Sequence, residues 1–111
     1  MNNGYVHENI WPWGKSVLII AEYGAGVVEL SFEKTQPGVA YLSNLSVVPL
    51  RRRSGIATRL LLDAQQYCLK SDVFRIDLNS VQTDWVMNFY HKFGFKDIEE
   101  NEGFMRMYKL L

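Results

Sequence analysis

Hydrophobic and polar residues alternate most cleanly between Val27 and Glu33, where Val28, Leu30 and Phe32 fall on one side and Glu29, Ser31 and Glu33 on the other. A period of two is that of a half-buried strand. Ahead of it, Val17 to Tyr23 is a β-branched and aliphatic run ended by Gly24-Ala25-Gly26, which predicts a strand and a tight turn. After it, Thr35-Gln36-Pro37-Gly38 signals a turn, and Val39 to Val48 reads as the third strand of an antiparallel meander. The period then changes. Beyond Gly55, Ile56, Leu60, Ala64 and Cys68 recur at helical spacing, with Arg59, Asp63, Gln66 and Lys70 on the wet face. Val73 to Leu78 alternates again, with Phe74, Ile76 and Leu78 on one side, so strand, helix and strand predict one crossover with parallel strands.

A second helix is expected from about Asp84 to Lys92, with Thr83 able to serve as N-cap and Val86, Phe89, Tyr90 and Phe93 along one stripe. Gly94 is placed to end it. Phe95 to Glu99 and Phe104 to Leu111, joined by Glu100-Asn101-Glu102-Gly103, predict a closing hairpin. The expected fold is α+β, in the order β-β-β-α-β-α-β-β, with a mixed, mostly antiparallel twisted sheet and a central crossover helix. Residues 1 to 15 carry no clear period, yet they hold Tyr5, Trp11 and Trp13. A tail is normally poor in aromatics, so this segment is expected to pack on the domain or on a second subunit. With 111 residues the chain is expected to form one domain, since it builds one core and is too small for two.

Composition narrows the partners. Hydrophobic residues at 48% and charged residues at 22% describe a globular protein rather than a disordered or fibrous one. Twelve basic and twelve acidic residues cancel, so no general attraction for nucleic acid or for an anionic membrane is expected. Cys68 is the only cysteine, which leaves neither an intrachain disulfide nor a zinc knuckle, and no metal is expected. Its position among apolar residues reads as a buried thiol rather than a nucleophile. The amino terminus lacks a basic segment followed by an apolar run, and Val17 to Ala21 is too short to span a bilayer, so the expectation is a cytoplasmic protein.

One stretch carries candidate chemistry. From Val47 to Leu62 an apolar strand meets Pro49, then a basic, glycine-containing turn opens directly into the first helix. The leading N–H groups of a helix lack intrahelical partners and the macrodipole is positive there, so an anion at that end gains about 0.3–2 kcal/mol. Arg51, Arg52 and Arg53 add charge at the same place, as does any solvated basic turn.

The residues Arg52-x-x-Gly55-x-Ala57, preceded by Val47-x-Pro49, resemble the coenzyme A signature of the GNAT superfamily of N-acetyltransferases. Trp85 to Phe95, ending Phe89-Tyr90-x-Lys92-x-Gly94-Phe95, looks like the second hallmark of that family and falls one strand later, as it should. The resemblance covers about Val17 to Leu111. It implies acetyl-CoA as co-substrate, a pantetheine arm lying along backbone groups near Leu45 and Val47, and a pyrophosphate on backbone N–H groups of Arg53, Ser54, Gly55, Ile56, Ala57 and Thr58, beside Arg52. It also implies Tyr90 as general acid toward the departing thiolate, and an acyl transfer to a primary amine by direct attack on the thioester.

The chain departs from the family in four ways, one of them Val86 where an Ala is usual. Thr83 stands where an Asn is usual, and a hydroxyl makes fewer hydrogen bonds to the pantetheine arm than an amide. No carboxylate occurs between Val39 and Val48, where a general base often sits. Glu29, on the neighbouring strand, is the first carboxylate to test for that role, while Tyr41, Ser43 and Asn44 could order a water, His7 is unplaced, and His91 should point away from Tyr90. Members also usually begin with a strand and two helices that wall the acceptor pocket, and these are expected to be lacking here. The acceptor side should then be open, or completed by the Trp11 to Trp13 segment or by a partner in a homodimer. The alternative to an enzyme is an acyl-CoA-binding module with weak or no transferase activity.

Overall fold

The computed structural model describes residues 5–52 and 55–111. Among the described residues seven strands and two α-helices follow one another: β1 (Tyr5–Trp11), β2 (Gly14–Ile20), β3 (Gly26–Glu33), β4 (Val39–Val47), α1 (Ile56–Lys70), β5 (Arg75–Val81), α2 (Asp84–Phe93), β6 (Lys96–Asn101) and β7 (Phe104–Leu110). They form one sheet in the order β1-β2-β3-β4-β5-β7-β6. Every neighbouring pair is antiparallel except β4 and β5, which the crossover through α1 makes parallel. From β2 onward the order is the one the periodicity predicts.

The difference lies at the amino end. Tyr5–Trp11 is an edge strand paired residue for residue with β2, so the first strand is present, contrary to the expectation that it is lacking. Its pattern hid it because an edge strand that is exposed along almost its whole length has no dry side to set a period. Between β1 and β2 the chain turns through Pro12 and Trp13 alone, where the family resemblance puts two helices. Gly14 makes that turn close: at φ 153 it lies against β3, and a Cβ there would run into the carbonyl of Phe32.

The core fills the space between the sheet and the helices. Val17, Ile19, Val28, Leu30, Ala40, Leu42, Ile76, Leu78 and Met107 rise from the sheet to meet Leu60, Leu61, Ala64 and Cys68 of α1. Leu61 joins the expected stripe because α1 sits deep enough to bury a wider arc than one row. Both helices lie on the same face, since Lys109 of β7 donates to Gln65 of α1 at 2.6 Å and sits over the ring of Phe93 of α2 at 4.5 Å. Among the described residues no helix covers the opposite face. Phe74 departs from its predicted row. It is 56% exposed and lies just ahead of β5, with its ring over Gly38, because the chain is still turning out of α1 at Asp72 (φ 59) and the pleat begins only at Arg75. Among the described residues no helix is long and apolar enough to cross a membrane.

Candidate active site

The central feature is a place where two strands part. β4 and β5 pair from Val39↔Arg75 to Leu42↔Leu78 and no further, although β4 continues to Val47 and β5 to Val81. The cause sits on the other side of β4. Leu30 pairs with Leu42 but Glu29 pairs with Asn44, so Ser43 is an extra residue, a β-bulge. A bulge bends its strand and increases the local twist. It swings the upper half of β4 away from β5 and leaves a slot between them.

Backbone groups line the near wall of that slot. The N–H of Val48 donates to the carbonyl of Ala25 at 2.9 Å, so by strand alternation Ser46 also faces β3, whereas Leu45 and Val47 turn their N–H and C=O groups toward the slot. Arg52 answers one of them: its Nε donates to the Val47 carbonyl at 3.1 Å, which holds the guanidinium at the mouth. At the closed end, Asn79 Nδ2 donates to the Tyr41 hydroxyl at 3.1 Å, a latch across β4 and β5 at the point where they separate. The sequence held no signal for this pair, because only the parallel register brings residues 41 and 79 together.

Above the near wall, α1 starts at Ile56 after Gly55, whose φ of 84 lies in the left-handed region and whose open surroundings leave room for a ligand. Among the described residues no side-chain cap is found at this end, and the N-cap, a glycine, has none to offer, so the leading N–H groups have no intrahelical partner. Ala57 is half-buried and Thr58 exposed at this end. Arg53 and Ser54, also expected to line the seat, lie outside the described residues, as do residues 1–4. On the far wall, Thr83 follows β5 at the N-cap of α2, but its side chain makes no capping bond, which leaves the hydroxyl available.

Tyr90 lies two turns further along α2. It is buried, with Phe89 and Phe95 set edge-on at 5.4 and 5.6 Å, and no hydrogen bond to its hydroxyl is found among the described residues. Burial raises its pKa above the ordinary phenol value, so the group stays protonated through the neutral range. His91 points elsewhere, with Nε2 at 2.7 Å from Asp97 Oδ1. Glu29 stands on the helix-free face of β3, opposite Asn44 and half-exposed, and Ser43 Oγ reaches its carbonyl oxygen at 3.4 Å. Beside it, Ile20, Val27, Ser46 and Val48 line an apolar concavity of ≈ 280 Å³ across the ends of β2, β3 and β4.

The tryptophans do not complete this side within one chain. Trp11 and Trp13 stack at 6.3 Å, but Trp11 pairs with Gly14 and Gly14 with Glu33, whereas the slot wall at Val47 pairs with Gly26. Seven residues of β3 separate those two points, roughly 23 Å of strand.

A family model described as an acetyltransferase (GNAT) domain matches residues 5–108. The chain belongs to the GNAT acetyltransferase family. Solved structures agree at the level of the fold. The PaiA N-acetyltransferase of Thermoplasma acidophilum, solved in complex with coenzyme A, is 24% identical, with a TM-score of 0.75 over 86% of this chain and 60% of its own. PH1933 of Pyrococcus horikoshii is also 24% identical, with a TM-score of 0.73 over 85% of this chain and 64% of its own. Ard1 of Thermoplasma volcanium is 17% identical, with a TM-score of 0.72 over 86% of this chain and 70% of its own. This GNAT chain thus spans 60% and 64% of the length of the first two. No curated protein matches it in sequence.

Proposed function

We propose that this GNAT domain is an acetyl-CoA-dependent N-acetyltransferase that passes an acetyl group to a primary amine by direct attack on the thioester. The observation that carries the reading is the slot beyond Leu42 and Leu78, with Leu45 and Val47 facing it and the start of α1 after Gly55 at its rim. These residues fit coenzyme A: an extended pantetheine chain needs backbone donors and acceptors, and a diphosphate needs unpaired N–H groups. When bound, acetyl-CoA supplies the activated acyl group.

This chain's residues then have separate tasks. Leu45 and Val47 donate backbone N–H bonds, one of them aimed at the thioester oxygen as charge develops there. Gly55, Ile56, Ala57 and Thr58 hold the pyrophosphate with Arg52 beside it, together with Arg53 and Ser54, and Thr83 contacts the arm from the far wall. Tyr90 gives its phenol proton to the departing thiolate. Glu29 takes the proton from the amine, which approaches across the helix-free face. That last step matters, because an alkylamine near pKa ~10.4 is neutral in only about one molecule in ~2,500 at pH 7.

The two-residue turn that replaces the acceptor-side helices favours a second reading, an acyl-CoA-binding module with weak or no transfer. Calorimetry with acetyl-CoA, followed by coenzyme release with a panel of primary amines, separates the two. Release above the hydrolysis background supports the transferase; tight binding with no turnover for any amine supports the module; no binding by the folded protein removes both.

A further inference from the structure

The two edges of the sheet are built differently. β6 is exposed along its whole length, carries Lys96, Asp97, Glu99 and Glu100, and breaks its pairing with β7 between Asp97 and Glu99. Charges and bulges of this kind keep an edge from pairing with another chain. β1 has no such break and only one such charge. Its register with β2 runs unbroken from Tyr5↔Ile20 to Trp11↔Gly14, and it contains neither proline nor lysine. Its one formal charge, Glu8, is held by the Tyr67 hydroxyl and by Lys15 at 3.3 Å, inside its own chain. Tyr5, Val6 and Ile10 are meanwhile 62%, 51% and 76% exposed.

The strand is also chemically palindromic. About Glu8, His7 mirrors Asn9, Val6 mirrors Ile10, and Tyr5 mirrors Trp11. Two such strands related by a two-fold axis through Glu8 set His7 opposite Asn9, β-branched opposite β-branched and aromatic opposite aromatic, pairings that stabilise antiparallel sheets, while the two Glu8 carboxylates that meet at the axis are each neutralised by Lys15 of their own chain. We infer that the chain forms a homodimer through its β1 edges, with Val6 of one copy opposite Ile10 of the other, joining two seven-stranded sheets into one.

The register has a consequence for the candidate active site. Residues directly opposite in an antiparallel pair point to the same face, so both helix-free faces join. Trp11 of the second copy arrives beside Tyr5, at the end of the row Tyr5, Ile20, Val27, Ser46 that leads to the slot. A tryptophan pair that stands far from the slot of its own chain is delivered to the slot end of its neighbour.

Sedimentation equilibrium across a wide concentration range tests the association: the mass should rise from 12.9 kDa toward twice that value. Ile10→Lys, which places a charge on an already exposed position, should hold the mass at 12.9 kDa at every concentration with an unchanged circular dichroism spectrum. The register is tested in the otherwise native sequence. Val6→Cys with Ile10→Cys should form an interchain disulfide on mild oxidation at least about tenfold faster than His7→Cys with Ile10→Cys, because cross-strand partners alone meet the required spacing. Cys68 is fully buried and silent. A monomer throughout, a dimer that survives Ile10→Lys, or equal rates for the two cysteine pairs each overturns the inference. None of these readouts involves the coenzyme, so their failure leaves the transferase reading untouched.

Discussion

Burial gives two titrating residues opposite uses. Tyr90 sits among aromatic rings with its pKa raised by desolvation, which keeps it protonated near neutrality as the proposed proton donor must be. Tyr90→Phe keeps the ring packing, so the expected result is a fall in kcat of about 10²-fold with coenzyme affinity unchanged, read by steady-state kinetics and calorimetry. Cys68 has no such task. Its thiol is pushed up to about 12 by desolvation alone, from an ordinary value of 9.0. The folded state therefore holds its proton longer than the unfolded chain does, and stability falls as pH rises. This contribution is complete below about pH 9 and fades as pH climbs toward about 12, by about 1.4 kcal/mol per unit. Cys68→Ala should accordingly flatten the decline of chemical-denaturation midpoints between pH 9 and 11 relative to the native protein, at some cost in stability near neutrality.

At the scale of elements, one extra residue in β4 does most to shape the candidate site. Ser43 has no partner on β3, and the pairings on either side of it are regular. Deleting Ser43 would therefore restore an uninterrupted β3–β4 ladder with Leu42 still inward and Asn44 still outward. The expected outcome is a protein that folds, with β4 straightened toward β5 and affinity for acetyl-CoA reduced at least about tenfold in calorimetry. A second element-level expectation concerns α1. Leu61 is fully buried against the sheet, and Leu61→Ala should cost about 2–5 kcal/mol in urea unfolding. The alternation that located β3 and the helical spacing that located α1 were legible because each element has one dry face. β1 was not, since its residues are mostly exposed on both faces and only pairing with β2 makes them a strand.

For the whole molecule, a ligand that binds only the folded state stabilises it in proportion to saturation. Acetyl-CoA at ~100 times its Kd should add ~2.7 kcal/mol, a rise in Tm on the order of 10 °C for a chain of this size. Differential scanning fluorimetry reads it directly. What the sequence by itself determined was the family, from two motifs in the right order, and the elements whose burial imposes a period: β2 to β5, β7, α1 and α2, with β6 marked by the turn that follows it. It also singled out the contiguous turn before α1 as the stretch proposed to meet a diphosphate. Tertiary structure alone decided where the two sheet halves separate, that Arg52 reaches back to the Val47 carbonyl, that Tyr41 and Asn79 meet, and that the tryptophans stack far from the slot. Each of these depends on register between strands distant in sequence. A local pattern records which face of a strand is dry, but not which residue lies across from it.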